Sequence, residues 1–209
     1  MRRIRSVAVL LCAAVLYGAA RSENIDPKGV GARYAWGENV GWLNFKPAPS
    51  GAHVSGDKVT GFVWGENIGW ISLSCENTAS CDRVAFGVLN DGQGNLSGFA
   101  WGENVGWINF NPRVPGDATR YGVRIDGQGR FDGWAWGENI GWIRFDAAQA
   151  YNAQACVVTV EDLANLAAEW LSLGTSPANL NLDRSVDMAD FSVFAGYWLD
   201  YCPDGWRLK

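Results

Sequence analysis

Between residues 30 and 147, apolar and polar positions alternate with a period of two, in short runs punctuated by glycine. That pattern predicts half-buried β-strands joined by tight turns. One heptapeptide organises the whole stretch. Trp36-Gly-Glu-Asn-Val-Gly-Trp42 returns as Trp64 to Trp70, Trp101 to Trp107 and Trp136 to Trp142, with first Trp residues 28, 37 and 35 positions apart. Self-similarity at such a period predicts a repeat architecture. The last two units align over a longer stretch, Phe86 to Phe99 against Tyr121 to Trp134. Each unit reads as three strands. In the last they lie near Tyr121 to Ile125, Phe131 to Trp136 and Gly141 to Phe145, joined by an Asp-Gly-Gln-Gly turn and a Gly-Glu-Asn turn. The predicted fold class is mainly β, as antiparallel repeated three-strand meanders, with a small all-α helix pair at the C-terminus.

Alternation also sorts side chains by face. On the third strand, Leu43/Phe45, Ile71/Leu73, Ile108/Phe110 and Ile143/Phe145 share an apolar face and are the predicted core. The opposite face carries Trp42/Asn44, Trp70/Ser72, Trp107/Asn109 and Trp142/Arg144. A Trp beside a polar residue, four times over, makes Trp42, Trp70, Trp107 and Trp142 candidates for stacking on sugar rings, since indole offers a flat apolar face and a polar N–H. Trp36, Trp64, Trp101 and Trp136 on the second strand read instead as packing residues that reach across the sheet. Glu38, Glu66, Glu103 and Glu138 recur in near-identical turns. A catalytic pair needs two carboxyls in different environments, so the Glu-Asn pair reads as turn chemistry, with Asn bonding its own backbone or taking positive φ. This heptad resembles a repeat of exported bacterial proteins, W-[GS]-E-N-[IV]-G-W-I, a resemblance that implies no activity.

After Ala147 the period changes. Asp162 to Leu171 matches Asp190 to Leu199 at a spacing of 28, and each places apolar residues at helical intervals: Leu163, Leu166, Ala167, Trp170, Leu171 and Phe191, Phe194, Ala195, Trp198, Leu199. Two amphipathic helices are predicted to pack on each other. Before the second, oxygen-bearing side chains occupy loop positions 1, 3, 5, 7, 9 and 12 from Asn179 to Asp190, the spacing that wraps a hard cation in oxygen. The duplicated loop-helix, the Asp at position 12 and the Asp-Phe…Trp-Leu helix resemble the dockerin type I family over residues 156 to 203. The resemblance implies one Ca2+ in the second loop, held by Asn179, Asn181, Asp183, Asp187 and Asp190 and by Ser185 through its carbonyl. It also implies docking onto a cohesin-like protein of polysaccharide-degrading assemblies. Arg184 stands at position 6, where glycine is expected to make the sharp turn. The first loop, with Tyr151, Ala153 and Ala155 at positions 1, 3 and 5, is expected to bind no calcium.

Charge and cysteine narrow the setting. Met1-Arg2-Arg3-Ile4-Arg5 followed by an apolar run and small residues reads as a secretory signal peptide over residues 1 to 22. Its removal takes four Arg and no acid, leaving 13 basic against 22 acidic residues, a net charge of −9. Nucleic acid and anionic membranes are poor partners for such a chain, and no second apolar run predicts membrane insertion. Four cysteines remain, an even number in an exported chain, with three pairings open; proximity favours Cys75 with Cys81 and leaves Cys156 with Cys202. The lone His53 reads as exposed on a connector. No catalytic triad, zinc cluster or phosphate loop is present in the sequence. The expected organisation is a β-repeat domain over 24 to 147, a linker over 148 to 155, the dockerin-like pair over 156 to 203 and a tail over 204 to 209. The expected function is a secreted or cell-surface, non-catalytic binding or adhesion module, with polysaccharide as candidate ligand. A purely structural spacer and a small glycan-processing enzyme are the alternatives.

Overall fold

The structure, a computed structural model, describes residues 23–208; the expected signal peptide lies outside the described residues. In chain order the strands are β1 (Tyr34–Gly37), β2 (Gly41–Asn44), β3 (His53–Val54), β4 (Lys58–Thr60), β5 (Phe62–Gly65), β6 (Gly69–Ser72), β7 (Val88–Asn90), β8 (Leu96–Gly102), β9 (Gly106–Asn109), β10 (Arg124–Ile125), β11 (Phe131–Gly137) and β12 (Gly141–Phe145). Two helices follow, α1 (Val160–Ala168) and α2 (Met188–Gly196).

Each heptapeptide folds as a hairpin turn, because its second glycine supplies a left-handed residue that a side chain would resist. Gly41, Gly69, Gly106 and Gly141 have φ between +75° and +80°. The hairpins β1–β2, β5–β6, β8–β9 and β11–β12 then pair edge to edge, β2 with β5, β6 with β8, β9 with β11 and β12 with β1. The ring closes as an eight-stranded antiparallel barrel. Closure leaves no free edge around the barrel wall.

The interior is filled by one simple rule. The first strand of each hairpin contributes small residues, Ala35, Val63, Ala100 and Ala135, while the second contributes Leu43/Phe45, Ile71/Leu73, Ile108/Phe110 and Ile143/Phe145, all buried. Burying each large side chain stabilises the barrel by about 1.5–3 kcal/mol. The remaining cavity among them is about 10 Å³, at or below the space of one water, so the barrel has no lumen for a ligand. Strands β8 and β11 outrun the barrel by bending at Gly98 and Gly133. A Cβ there would come within 2.2 Å of the Gly87 carbonyl oxygen and 2.4 Å of the Gly122 carbonyl oxygen. Beyond the bends β8 pairs with β7 and β11 with β10, and β4 and β3 extend that layer from β7.

Several segments depart from what the sequence pattern predicts. His53 is not exposed: it is 8 % accessible in β3, with Nδ1 3.6 Å from Asp204 Oδ1. Residues 152 to 155, expected as linker, are stitched to the barrel end. Ala153 N donates to the Tyr34 carbonyl (2.9 Å), Phe131 N to the Ala153 carbonyl (3.0 Å) and Ala155 N to the Gly129 carbonyl (2.7 Å). Buried Ala153 and Ala155 belong to the barrel core. Residues 204 to 208 are not a loose tail either. Trp206 and Leu208 are buried with Val158, Leu166, Ala178, Val186 and Phe194 in a second core. The helices are shorter than their apolar stripes. Each stops before Trp170-Leu171 or Trp198-Leu199, and both leucines sit exposed at positive φ, 64° and 61°. Only Leu166 and Phe194 of the two stripes are buried, in a core otherwise made by residues outside the helices, Trp206 and Leu208 among them. The disulfides are Cys75–Cys81 and Cys156–Cys202, the second clamping the ends of the helical segment.

Candidate functional site

All eight heptapeptide tryptophans lie on the outside of the barrel. The two of each hairpin stand directly opposite in register: Trp36 with Trp42, Trp64 with Trp70, Trp101 with Trp107 and Trp136 with Trp142. Opposite residues share a face and touch. Their rings meet at an angle, with centroids 4.8, 4.9, 4.6 and 4.9 Å apart. The division of these residues into packing and binding sets is therefore replaced by four equivalent pairs. The small neighbours of the second-strand aromatics, not the aromatics, fill the core. Trp36, Trp42, Trp70, Trp101 and Trp136 are exposed, and Trp64, Trp107 and Trp142 are half-buried. One further strand aromatic flanks each third-strand ring, Tyr34, Phe62, Phe99 or Trp134, at about 6 Å. Loops add Tyr151 against Trp42, Phe86 against Trp107 and Tyr121 against Trp142.

The turns connect neighbouring hairpins. Asn39 Nδ2 donates to the Ile140 carbonyl (3.1 Å), Asn67 to Val40 (3.0 Å), Asn104 to Ile68 (3.1 Å) and Asn139 to Val105 (3.2 Å). Each asparagine thus bonds the previous hairpin in a closed ring, not its own backbone, and the positive φ falls on the following glycine. The same register sets each turn glutamate one residue beyond the last barrel pair. Gly137 lies opposite Ile108, so Glu138 follows opposite Trp107; Glu66, Glu103 and Glu38 stand likewise toward Trp42, Trp70 and Trp142. All four glutamates are exposed. None pairs with a cation among the described residues.

One station of this belt is a groove. About 740 Å³ opens beside Trp107, with Val84, Phe86, Leu89 and Phe99 as its apolar lining and Glu138, Glu76 and Lys58 around it. Its wall is the loop held by Cys75–Cys81, in which Cys75 N donates to the Phe86 carbonyl (3.0 Å) and Val84 N to the Ser80 carbonyl (3.0 Å). Lys58 and Glu76 form an ion pair. The sequence made Trp107 a binding candidate and Glu138 a turn residue, and gave Phe86 and Phe99 no role in binding. The alignment of Phe86 with Tyr121 was the available signal.

The C-terminal loop keeps its oxygen spacing. Asn179 Oδ1 and Asn181 Oδ1 both accept from Asp183 N, at 3.1 and 3.0 Å, so two carboxamide oxygens converge on one point. Asp183 Oδ1 accepts from Ser185 N (2.9 Å) and its Oδ2 from Asn181 Nδ2 (3.0 Å), and these two bonds, Ser185 first, hold the Asp183 carboxyl below its ordinary range. Asp187 caps α2 by accepting from Ala189 N and is approached by the Ser185 hydroxyl at 3.2 Å. Asp190 is fully buried; its Oδ1 accepts from Leu180 N and Asn181 N, and its Oδ2 from Asp187 N. The turn expected at Arg184 is made instead at Leu182, φ 59°. Among the described residues no three His, Cys, Asp or Glu side chains form a group able to hold a metal. The loop carries oxygen donors at the spacing that calcium takes, and its own backbone amides engage the same lone pairs.

No family model matches this chain, and no curated protein or solved structure is significantly similar to it.

Chemically, the outer face offers flat apolar rings beside carboxylates. It also seats cations on rings within the chain itself: Arg144 Cζ lies 5.8 Å from the Trp134 ring centroid and Arg33 Cζ 5.6 Å from that of Tyr34.

Proposed function

We propose that the protein is an exported, non-catalytic module that binds glycan chains on the aromatic outer face of its barrel. The observation that carries this reading is the belt of four Trp pairs on the outside of a barrel whose core is complete without them. Exposed apolar surface of this extent marks interaction sites in soluble proteins. Indole pairs present both stacking faces and N–H donors, which suits rings that carry C–H faces and hydroxyls. Four glutamates in equivalent exposed turns favour binding over hydrolysis, which requires one acid and one base in unlike surroundings. Titration with soluble polysaccharides should quench Trp fluorescence, and Trp70→Ala should weaken binding while costing well under the ~3–5 kcal/mol of a buried Trp. A cost of that full size, or no quenching by any polysaccharide, refutes the reading.

In the same reading the helical segment attaches the barrel to a cohesin-like protein, with calcium in the second loop as a structural ion. Matched exposed pairs, Trp170-Leu171 and Trp198-Leu199, support an attachment role, because a duplicated segment that leaves the same apolar residues outside twice offers a two-fold surface. Calorimetric titration with an isolated cohesin tests it, and absence of heat with calcium present refutes it.

A further inference from the structure

We propose that the aromatic stations select glycans bearing a protonated amine, and that the groove beside Trp107 is the principal site. This rests on the glycan-binding reading and adds the ligand class to it.

On the groove rim Lys58 and Glu76 neutralise one another, which leaves the Glu138 carboxylate as the net charge beside the aromatic floor. A carboxylate next to indole and phenyl faces is complementary to an ammonium group twice over, by ion pairing and by cation–π attraction. The pairing recurs in all four hairpins through the register that sets each turn glutamate opposite the preceding third-strand Trp. Arg144 and Arg33 show that rings on this face accept cations. In the fourth hairpin the chain's own guanidinium occupies the position held elsewhere by Asn44, Ser72 or Asn109.

Shape then separates the stations. Tyr151 stands edge-on against Trp42, Tyr121 lies against Trp142 and Phe86 against Trp107, while Trp42 and Trp70 are each 43 % exposed. Beside Trp107 the disulfide-closed loop stands away from the strand, so Val84, Leu89 and Phe99 remain 51 %, 54 % and 46 % exposed around a concave space. A space of this size lies within the range of small-ligand pockets and accommodates a short oligosaccharide.

The test uses the full chain and three soluble oligosaccharides of equal length: glucosamine oligomers at mildly acidic pH, their N-acetylated counterparts, and glucose oligomers. Glucosamine oligomers should bind about five- to tenfold more tightly than the other two, an advantage that falls with added salt. Glu138→Gln, an exposed conservative change, should reduce the glucosamine affinity to the N-acetylated level and leave the other two unchanged. Leu89→Ala, also exposed, should weaken all three. Equal affinity for the aminated and acetylated oligomers, or an advantage that survives Glu138→Gln, overturns the amine selectivity while leaving glycan binding intact. No binding of any of the three overturns both.

Discussion

The ring of asparagines allows a sharp test of what closes the barrel. Asn104→Ala removes one amide-to-carbonyl hydrogen bond, 3.1 Å from Nδ2 to the Ile68 carbonyl, in a partly buried turn. A bond of that kind contributes about 1 kcal/mol net, so the melting temperature should fall by roughly 2–4 °C in a chain of this size. Asn104→Asp is the decisive companion. Aspartate retains asparagine's turn preference but turns an acceptor toward the Ile68 carbonyl, so it should cost more than alanine, about 2 kcal/mol. The four bonds join four different hairpin pairs and share no partner. Their losses should therefore add, to about 4 kcal/mol for the quadruple Ala variant, a large share of a stability of ~5–15 kcal/mol. Urea denaturation read by far-UV circular dichroism measures each value. If Asn104→Asp is as stable as the native chain while Asn104→Ala is not, the asparagines act through turn preference alone and the closure argument fails.

Three further outcomes follow from particular contacts. Replacing Cys156 and Cys202 by Ser should cost about 4 kcal/mol and replacing Cys75 and Cys81 about 2 kcal/mol, because the sequence separations are 46 and 6 and unfolded-state entropy scales with loop length; a reversed order in denaturation midpoints contradicts this. The hydrogen bond from the Tyr121 hydroxyl to Asp117 raises the Tyr121 pKa, while bonds from Thr119 and then Tyr121 hold Asp117 down to about 2. A depressed carboxyl keeps its contact above the ordinary carboxylate range and loses it as pH falls through about 2, so the pair should persist at pH 3. Ultraviolet titration should show Tyr121 ionising at lower pH in Asp117→Asn, and an unchanged curve would sink the assignment. Calcium at about 10⁻⁴–10⁻³ M should raise the melting temperature, with the rise lost in Asp183→Ala; calorimetry that detects no binding at millimolar calcium removes the ion from the reading.

The local code was legible because it is local. Period-two alternation and paired glycines in each heptapeptide determined hairpins, and the apolar residues Leu43, Ile71, Ile108 and Ile143 were assigned inward before any pairing was known. Even cysteine count and spacing led to both disulfides. What the sequence could not decide was how hairpins meet. The closing pair β12–β1 joins residues more than a hundred positions apart, and only that closure makes the interior too narrow for anything but alanine, valine and glycine on alternate strands. This forces all eight tryptophans outward, where strand alternation alone left two readings. The same non-local pairing sends each Asn side chain to another hairpin's carbonyl. It also brings Glu138 to Trp107 across the β9–β11 seam, though 31 residues separate them in the chain. Likewise the residues expected as linker and tail became strand partner and core, because Ala153, Ala155, Trp206 and Leu208 carry no periodic signal in so short a run, and only the surfaces awaiting them determine that they are buried.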